Sequence, residues 1–313
     1  MSKRRSFLLL VSALALSVSA CATTPPPRET GLLVFWRITR ADGAGGSAHL
    51  LGSMHVAKQA LALDPAIEHA LQSSDEVALE VAPDELKPDA LIELMLSLGR
   101  LPAGQSLAQL VSADTLKRVE KRVAGDEVPL SIWLRWEPWV VTLLIANDQL
   151  ASEGFSRESG VEPLVSAGAA SAQKPLRGLE TMREQVARFD SLPLATQELL
   201  LRDALIGGRR ASSVDTLEAA WRGGDLATLA REVFASPRGE AAAPYFEAIY
   251  FARNRSFADA IANLVDAGGR WFVAIGAGHM VDEQAIPQLL EARGYHVERV
   301  PKTPPTLSAQ EKP

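Results

Sequence analysis

The sequence predicts a mixed, partly parallel α/β sheet with large helical insertions, and three observations lead there. Short apolar runs closed by glycine or a carboxylate recur at residues 48–51, 76–81, 175–179 and 271–275, the pattern of buried strands. Two long stretches between them, 84–155 and 181–267, read as helices. The chain also begins and ends with one order, strand, histidine, helix, strand, in which His55 and His279 each stand three residues after a strand-closing glycine. Ligands of parallel sheets sit beyond the carboxyl ends of the strands, so both histidines are expected at one rim.

Of the 313 residues 47% are hydrophobic, enough for a sizeable core, and the net charge of -6 leaves no basic footprint for nucleic acid. Residues 1–20 are expected to be a lipoprotein signal peptide. Lys3, Arg4 and Arg5 precede an apolar segment, 7–18, that is shorter than the roughly 20 residues of a membrane span and runs into small residues. Val18-Ser19-Ala20-Cys21 closely resembles a bacterial lipobox, which implies that Cys21, the only cysteine, carries the lipid. Acyl chains there would hold the protein on a membrane surface. Ala22 is not the aspartate that resembles an inner-membrane retention signal, so the expected address is the outer membrane, facing the periplasm. Residues 21–31, with Pro25, Pro26 and Pro27, read as a semi-rigid tether, 32–300 as one domain and 301–313 as a disordered polar tail.

Within the domain, residues 32–39 and 48–51 flank turn signals at Asp42-Gly43 and Gly45-Gly46 and should pair as a hairpin. Asp64 and Pro65 predict the cap and first residue of a helix running to about Gln72. The next strand, 76–81, contains Glu80 at its end, and a right-handed crossover would bring Glu80 and His55 to the same side. Residues 129–146 enclose Arg135 and Glu137 in too short an apolar run for a span, so they read as buried helices. Trp133, Trp136 and Trp139 read as core, with pocket lining as the alternative. Strand 175–179 leads into Glu180 and a capping box from Thr181 to Glu184. Strand 271–275, His279, a helix capped by Asp282 that runs to Arg293 and stops at Gly294, and strand 295–300 complete the domain.

Two histidines and a glutamate at one rim are a ligand set of hydrolytic metal sites, where an open position takes a water whose pKa the metal lowers. His55, Glu80 and His279 could supply it, and that set suits zinc, manganese or cobalt about equally well. Glu180 is the stronger candidate for a general base or a partner of a ligand. Three readings stand for Glu162: it orients a ligand, acts as base, or is the plain helix-start glutamate of a capping box with Ser159. Arg253 either clamps a substrate carboxylate or holds Glu180, with an exposed ion pair as the plain alternative. Asn254 shows no assignable role, and His49, His69 and His296 are not expected to be ligands.

Leu51-Gly-Ser-Met-His55, Ala78-Leu-Glu80, Gly160-Val-Glu162, Gly178-Leu-Glu180-Thr181, Arg253-Asn254 and Gly276-Ala-Gly-His279, in that order, resemble the TraB/GumN family, to which the Tiki metalloproteases are related. The resemblance covers residues 32–300. It implies an α/β core with a large helical part and, for the Tiki branch, a divalent-metal-dependent peptidase whose ligand roles carry onto His55, Glu80 and His279. The strand-end arrangement also resembles erythromycin-esterase-like hydrolases and haem-binding ChaN-like lipoproteins. The expectation is a membrane-anchored hydrolase of peptides or another small substrate, with an esterase, a haem binder or a non-enzymatic sequestering protein as alternatives. The acidic motifs favour a hydrolase, because a haem ligand would face a large apolar slot.

Overall fold

The computed structural model describes residues 27–206 and 211–304, so the expected signal peptide, Cys21 and the chain beyond residue 304 lie outside the described residues. The sheet has six strands: β1 (Leu32–Arg40), β2 (Ser47–Ser53), β3 (Glu76–Leu79), β4 (Leu176–Gly178), β5 (Arg270–Gly276) and β6 (Tyr295–Pro301). Their order is β4-β3-β5-β2-β1-β6, parallel from β4 to β2 and antiparallel where β1 meets β2 and β6. This is the mixed, partly parallel sheet that the apolar runs predict, and the strands near residues 49, 77, 176 and 272 are adjacent in it.

Neighbour order is less obvious from sequence. β2 and β3 are parallel but not paired, because β5 from the far end of the chain lies between them. Six of the seven β5 residues are buried, so it has no polar face to offer water and takes the centre. β6 alternates between half-buried and exposed residues and takes the edge. The register of β2 with β5 sets Ser53 beside Gly276, and this places the segments carrying the two histidines side by side.

The local signals mostly act as read. Asp64 accepts from the Ala66 amide at 2.9 Å and starts the helix Pro65–Ser73, and Thr181 and Glu184 cap the helix Met182–Asp190 reciprocally. β4 is only three residues long because the chain bends early: the Leu179 and Glu180 amides turn to donate to the Glu80 carbonyl at 3.0 and 2.9 Å.

Two caps differ from expectation. Asp282 sits at φ 89° in a turn rather than at a cap, and the helix begins later, as Ile286–Ala292, with Pro287 setting its first turn. Ahead of it Ala277–Met280 forms a short 3-10 turn that carries His279. Ser159 does not cap the helix Val161–Ser171, whose N-cap is Gly160. Its hydroxyl accepts instead from Ser156 Oγ at 3.2 Å.

Trp139 is fully buried in the main core, and Trp133 and Trp136 pack against a second apolar cluster around Val119 and Leu201, so all three serve packing. Both ends of the described chain are tied down. The Arg28 amide donates to Asp225 Oδ2 at 2.9 Å, the Thr30 amide to the Gly223 carbonyl at 2.9 Å, and the Lys302 amide to the Gly31 carbonyl at 2.9 Å. The Lys302 bond to Gly31 thus continues the β1–β6 edge, while residues 28–30 are held to the turn at residues 223–225. No helix among the described residues is long and apolar enough to cross a membrane.

Candidate active site

The rim is built by four strand ends. Gly276 closes β5 and donates its amide to Glu80 Oε1 at 2.6 Å, and the Glu180 amide donates to the Glu80 carbonyl at 2.9 Å, so β3, β4 and β5 are joined through one glutamate. Gly276 has φ -47°, which any residue adopts, so glycine is needed here for room. A Cβ at this position would stand 2.5 Å from His55 Nε2 and 3.1 Å from Glu80 Oε1.

Each motif histidine is held at Nδ1 by an oxygen. His55 Nδ1 lies 2.6 Å from Glu162 Oε1, which also accepts from Ser53 Oγ at 2.5 Å. Of the three readings of Glu162, the capping-box glutamate is not the geometry found: its side chain is held by His55 and Ser53. His279 Nδ1 lies 2.5 Å from Asn254 Oδ1, and the Asn254 amide is fixed by donation to the Gln284 carbonyl at 2.8 Å. With Nδ1–H donated in both rings, each Nε2 lone pair points into the rim. His55 Nε2 is 3.8 Å from Glu80 Oε1. His279 Nε2 accepts from Arg253 Nη1 at 3.0 Å. Tyr250 and Phe257 pack their rings on His279 at 5.3 and 5.5 Å.

Arg253 is the hub. It lies buried on the helix Ala252–Ala267, just after the π-helical segment Glu247–Phe251, a distortion common at functional sites. Its guanidinium donates to Glu180 through Nε at 3.0 Å and Nη2 at 2.6 Å, to Glu80 Oε2, and to the Ile249 carbonyl at 3.2 Å. Gln185 Nε2 spans the same two carboxylates, at 3.2 Å from Glu80 Oε2 and 3.1 Å from Glu180 Oε1. The sequence alternative in which Arg253 holds Glu180 is the geometry found, and the plain exposed ion pair is not.

Burial works against the charge on Glu80, but Arg253, both histidines and the Gly276 amide together hold its carboxyl well below the usual range. Glu162 is likewise lowered, burial being outweighed by His55 and Ser53. For Glu180 burial prevails over Arg253 and raises the carboxyl. Burial and the neighbouring Arg253 charge push His279 down to about 3, so its ring is neutral at ordinary pH. His55 is raised, because Glu162 more than offsets the burial that would lower it. Protonation and metal binding would compete for its Nε2.

As the side chains stand, no group of three or more His, Cys, Asp or Glu residues among those described is arranged to hold an ion. Arg253 stands between Glu80 and His279. The donor chemistry nevertheless fits a divalent ion: both rings are oriented by an oxygen at Nδ1, as in metal-ligating histidines, and Glu80 is ionised beside them. Two donors that each lie about 2 Å from one ion stand roughly 3 Å apart, not far from the His55 to Glu80 separation. Nη1 would have to release His279 Nε2, while keeping its bond to the Ile249 carbonyl. His49 stacks on Phe35, and His69 and His296 are exposed, all away from this rim. Sequence reasoning missed Ser53 and Gln185 and left Asn254 without a role; Asn254 is legible only through the helix phase that buries it beside Arg253.

The TraB/PrgY/gumN family model matches residues 34–299, and the chain belongs to this family. It is 23% identical over 249 residues to the uncharacterized protein YbaP of Shigella flexneri, covering 78% of this chain and 87% of that one. The YbaP protein of Escherichia coli (strain K12) is 23% identical over 248 residues, covering 77% and 87%. No solved structure matches the chain.

Proposed function

Starting from TraB/PrgY/gumN membership, we propose that this chain is a divalent-metal-dependent hydrolase that cleaves peptide bonds. The observation that carries the reading is the pair of oriented histidines, His55 on Glu162 and His279 on Asn254, whose Nε2 atoms face one rim with Glu80 and Glu180. Acids packed around a polar centre favour a hydrolase over a haem slot. A zinc, manganese or cobalt ion held by His55, Glu80 and His279 would supply Lewis acidity and a water of lowered pKa.

The chain's own residues do the rest. Glu80 stays ionised, and Glu162 and Asn254 fix the two imidazoles so that no reorientation is needed during turnover. Glu180, with its carboxyl raised by burial, is suited to take a proton from the attacking water and return it to the leaving amine. Arg253 holds Glu80 and Glu180 side by side against their mutual repulsion.

Chelation should abolish cleavage of a peptide library, and zinc, manganese or cobalt should restore it. Glu180→Gln should then lower kcat by roughly a hundredfold or more while KM changes little. Full turnover in the chelated protein would exclude the metal, and full turnover in Glu180→Gln would exclude this base. Matched ester substrates separate an esterase from a peptidase.

The anchoring proposed at Cys21 places this activity on the outer membrane, facing the periplasm. Its basis is the charged start, the apolar segment and the Val18-Ser19-Ala20-Cys21 ending. Cys21→Ala should move the protein from the detergent-extracted membrane fraction to the soluble one and remove the acyl mass. A variant equally membrane-bound and still acylated would contradict it.

A further inference from the structure

Two arginines beside this site have no hydrogen-bond acceptor for their guanidinium groups among the described residues. Arg188 lies on the helix Met182–Asp190, three residues after Gln185 and so on the same face. Its Nε is buried without a hydrogen-bond partner and approaches Glu180 Oε2 only to 3.7 Å. Gln185 Oε1 is buried without a partner as well, because its amide is committed to Glu80 and Glu180 through Nε2. Glu80 and Glu180 in turn are occupied by Arg253.

Arg157 is half-buried in the loop between the helices Pro138–Ser152 and Val161–Ser171. That loop is riveted to the His55 segment. Ser156 and Ala57 exchange backbone bonds at 2.9 and 3.1 Å, the Val161 amide donates to the Met54 carbonyl at 2.9 Å, and a Cβ on Gly160 would stand 2.6 Å from the His55 carbonyl. Arg157 feels the charges of Glu162, Glu158 and Glu80 without a hydrogen bond to any of the three, and its burial lowers it. Leaving a partly desolvated guanidinium without an acceptor is costly. One such arginine on the loop that packs on the His55 segment and another beside Glu180 point to a ligand that supplies the acceptors.

We infer that Arg157 and Arg188 anchor the substrate, and that the substrate is an acidic peptide with a carboxylate on each side of the bond to be cleaved. Arg157 takes one carboxylate beside the His55 segment and Arg188 takes the other beside Glu180. This rests on the hydrolase reading for its orientation across the rim, but the binding itself needs no turnover.

The test is calorimetric titration of the purified protein with acetyl-Glu-Ala-Glu-amide and its neutral counterpart acetyl-Gln-Ala-Gln-amide, with cleavage monitored separately. The acidic peptide should bind at least about tenfold tighter, and the preference should shrink with rising salt. Arg157→Gln and Arg188→Gln should each weaken its binding roughly ten- to a hundredfold and leave the neutral peptide unaffected. Arg188→Lys, which keeps the charge, should retain part of the preference and guards against a folding artefact. Equal affinity for the two peptides, binding of neither, or full preference in both glutamine variants overturns the inference. Acid preference without any cleavage would instead overturn the hydrolase reading and leave the anchoring residues standing.

Discussion

Arg253→Ala should destabilise the protein by about 3–5 kcal/mol, the largest effect expected of any single exchange at the rim. The substitution leaves Glu80 and Glu180 in the interior with Gln185 as their shared side-chain donor, so two carboxylates of like charge would face each other. The penalty comes from stranded charge, which separates it from a packing loss. Adding Glu180→Gln to Arg253→Met, which keeps most of the side-chain volume, should therefore recover a sizeable share of the stability. Urea midpoints at unchanged slope measure this. A loss below about 1 kcal/mol for Arg253→Ala would show that the network is solvated and not the hub described.

Gly276→Ala should nearly abolish function at a smaller stability cost. The new methyl would lie where His55 Nε2 and Glu80 Oε1 converge, at 2.5 and 3.1 Å, and both side chains must move aside. The backbone itself is not strained, since φ is -47°. Overpacking of this kind costs about 1–3 kcal/mol, whereas displacing reacting groups by about an ångström lowers turnover on the order of a hundredfold. Wild-type turnover would mean that the rim glycine is not beside the reacting centre.

Much of this was legible because strand ends announce themselves. The run Trp271–Ile275 and the run Ala48–Leu51 each stop at glycine, and parallel strands of shared polarity deliver the next residues of the chain to one side. His55, Glu80, Glu180 and His279 could therefore be placed at one rim without coordinates. What periodicity does not encode is which strand neighbours which. The position of β5 between β2 and β3 follows from its burial on both faces, a property that shows only when the whole sheet is assembled.

Side-chain partners were harder still. Glu162 and Ser159 have capping-box spacing, and only the approach of His55, more than a hundred residues away in sequence, decides that the glutamate turns to the histidine. Asn254 is a neutral amide inside a helix, with nothing in its local pattern to mark it. Its role depends on the turn that carries His279 folding back over that helix. Asp282 has the local pattern of a cap because the residues around it are polar, but Pro287 favours a later start to the helix.

The proposed hydrolase requires that His55, Glu80 and His279 together bind a divalent ion. The measurement is metal titration of the purified protein, with bound metal counted per chain, for the native chain and for His55→Ala, Glu80→Ala and His279→Ala. One ion per chain in the native protein, lost or weakened at least about a hundredfold in each variant that remains folded, is the result predicted. A native protein that binds no zinc, manganese or cobalt, or folded variants that bind as tightly as the native chain, would contradict it.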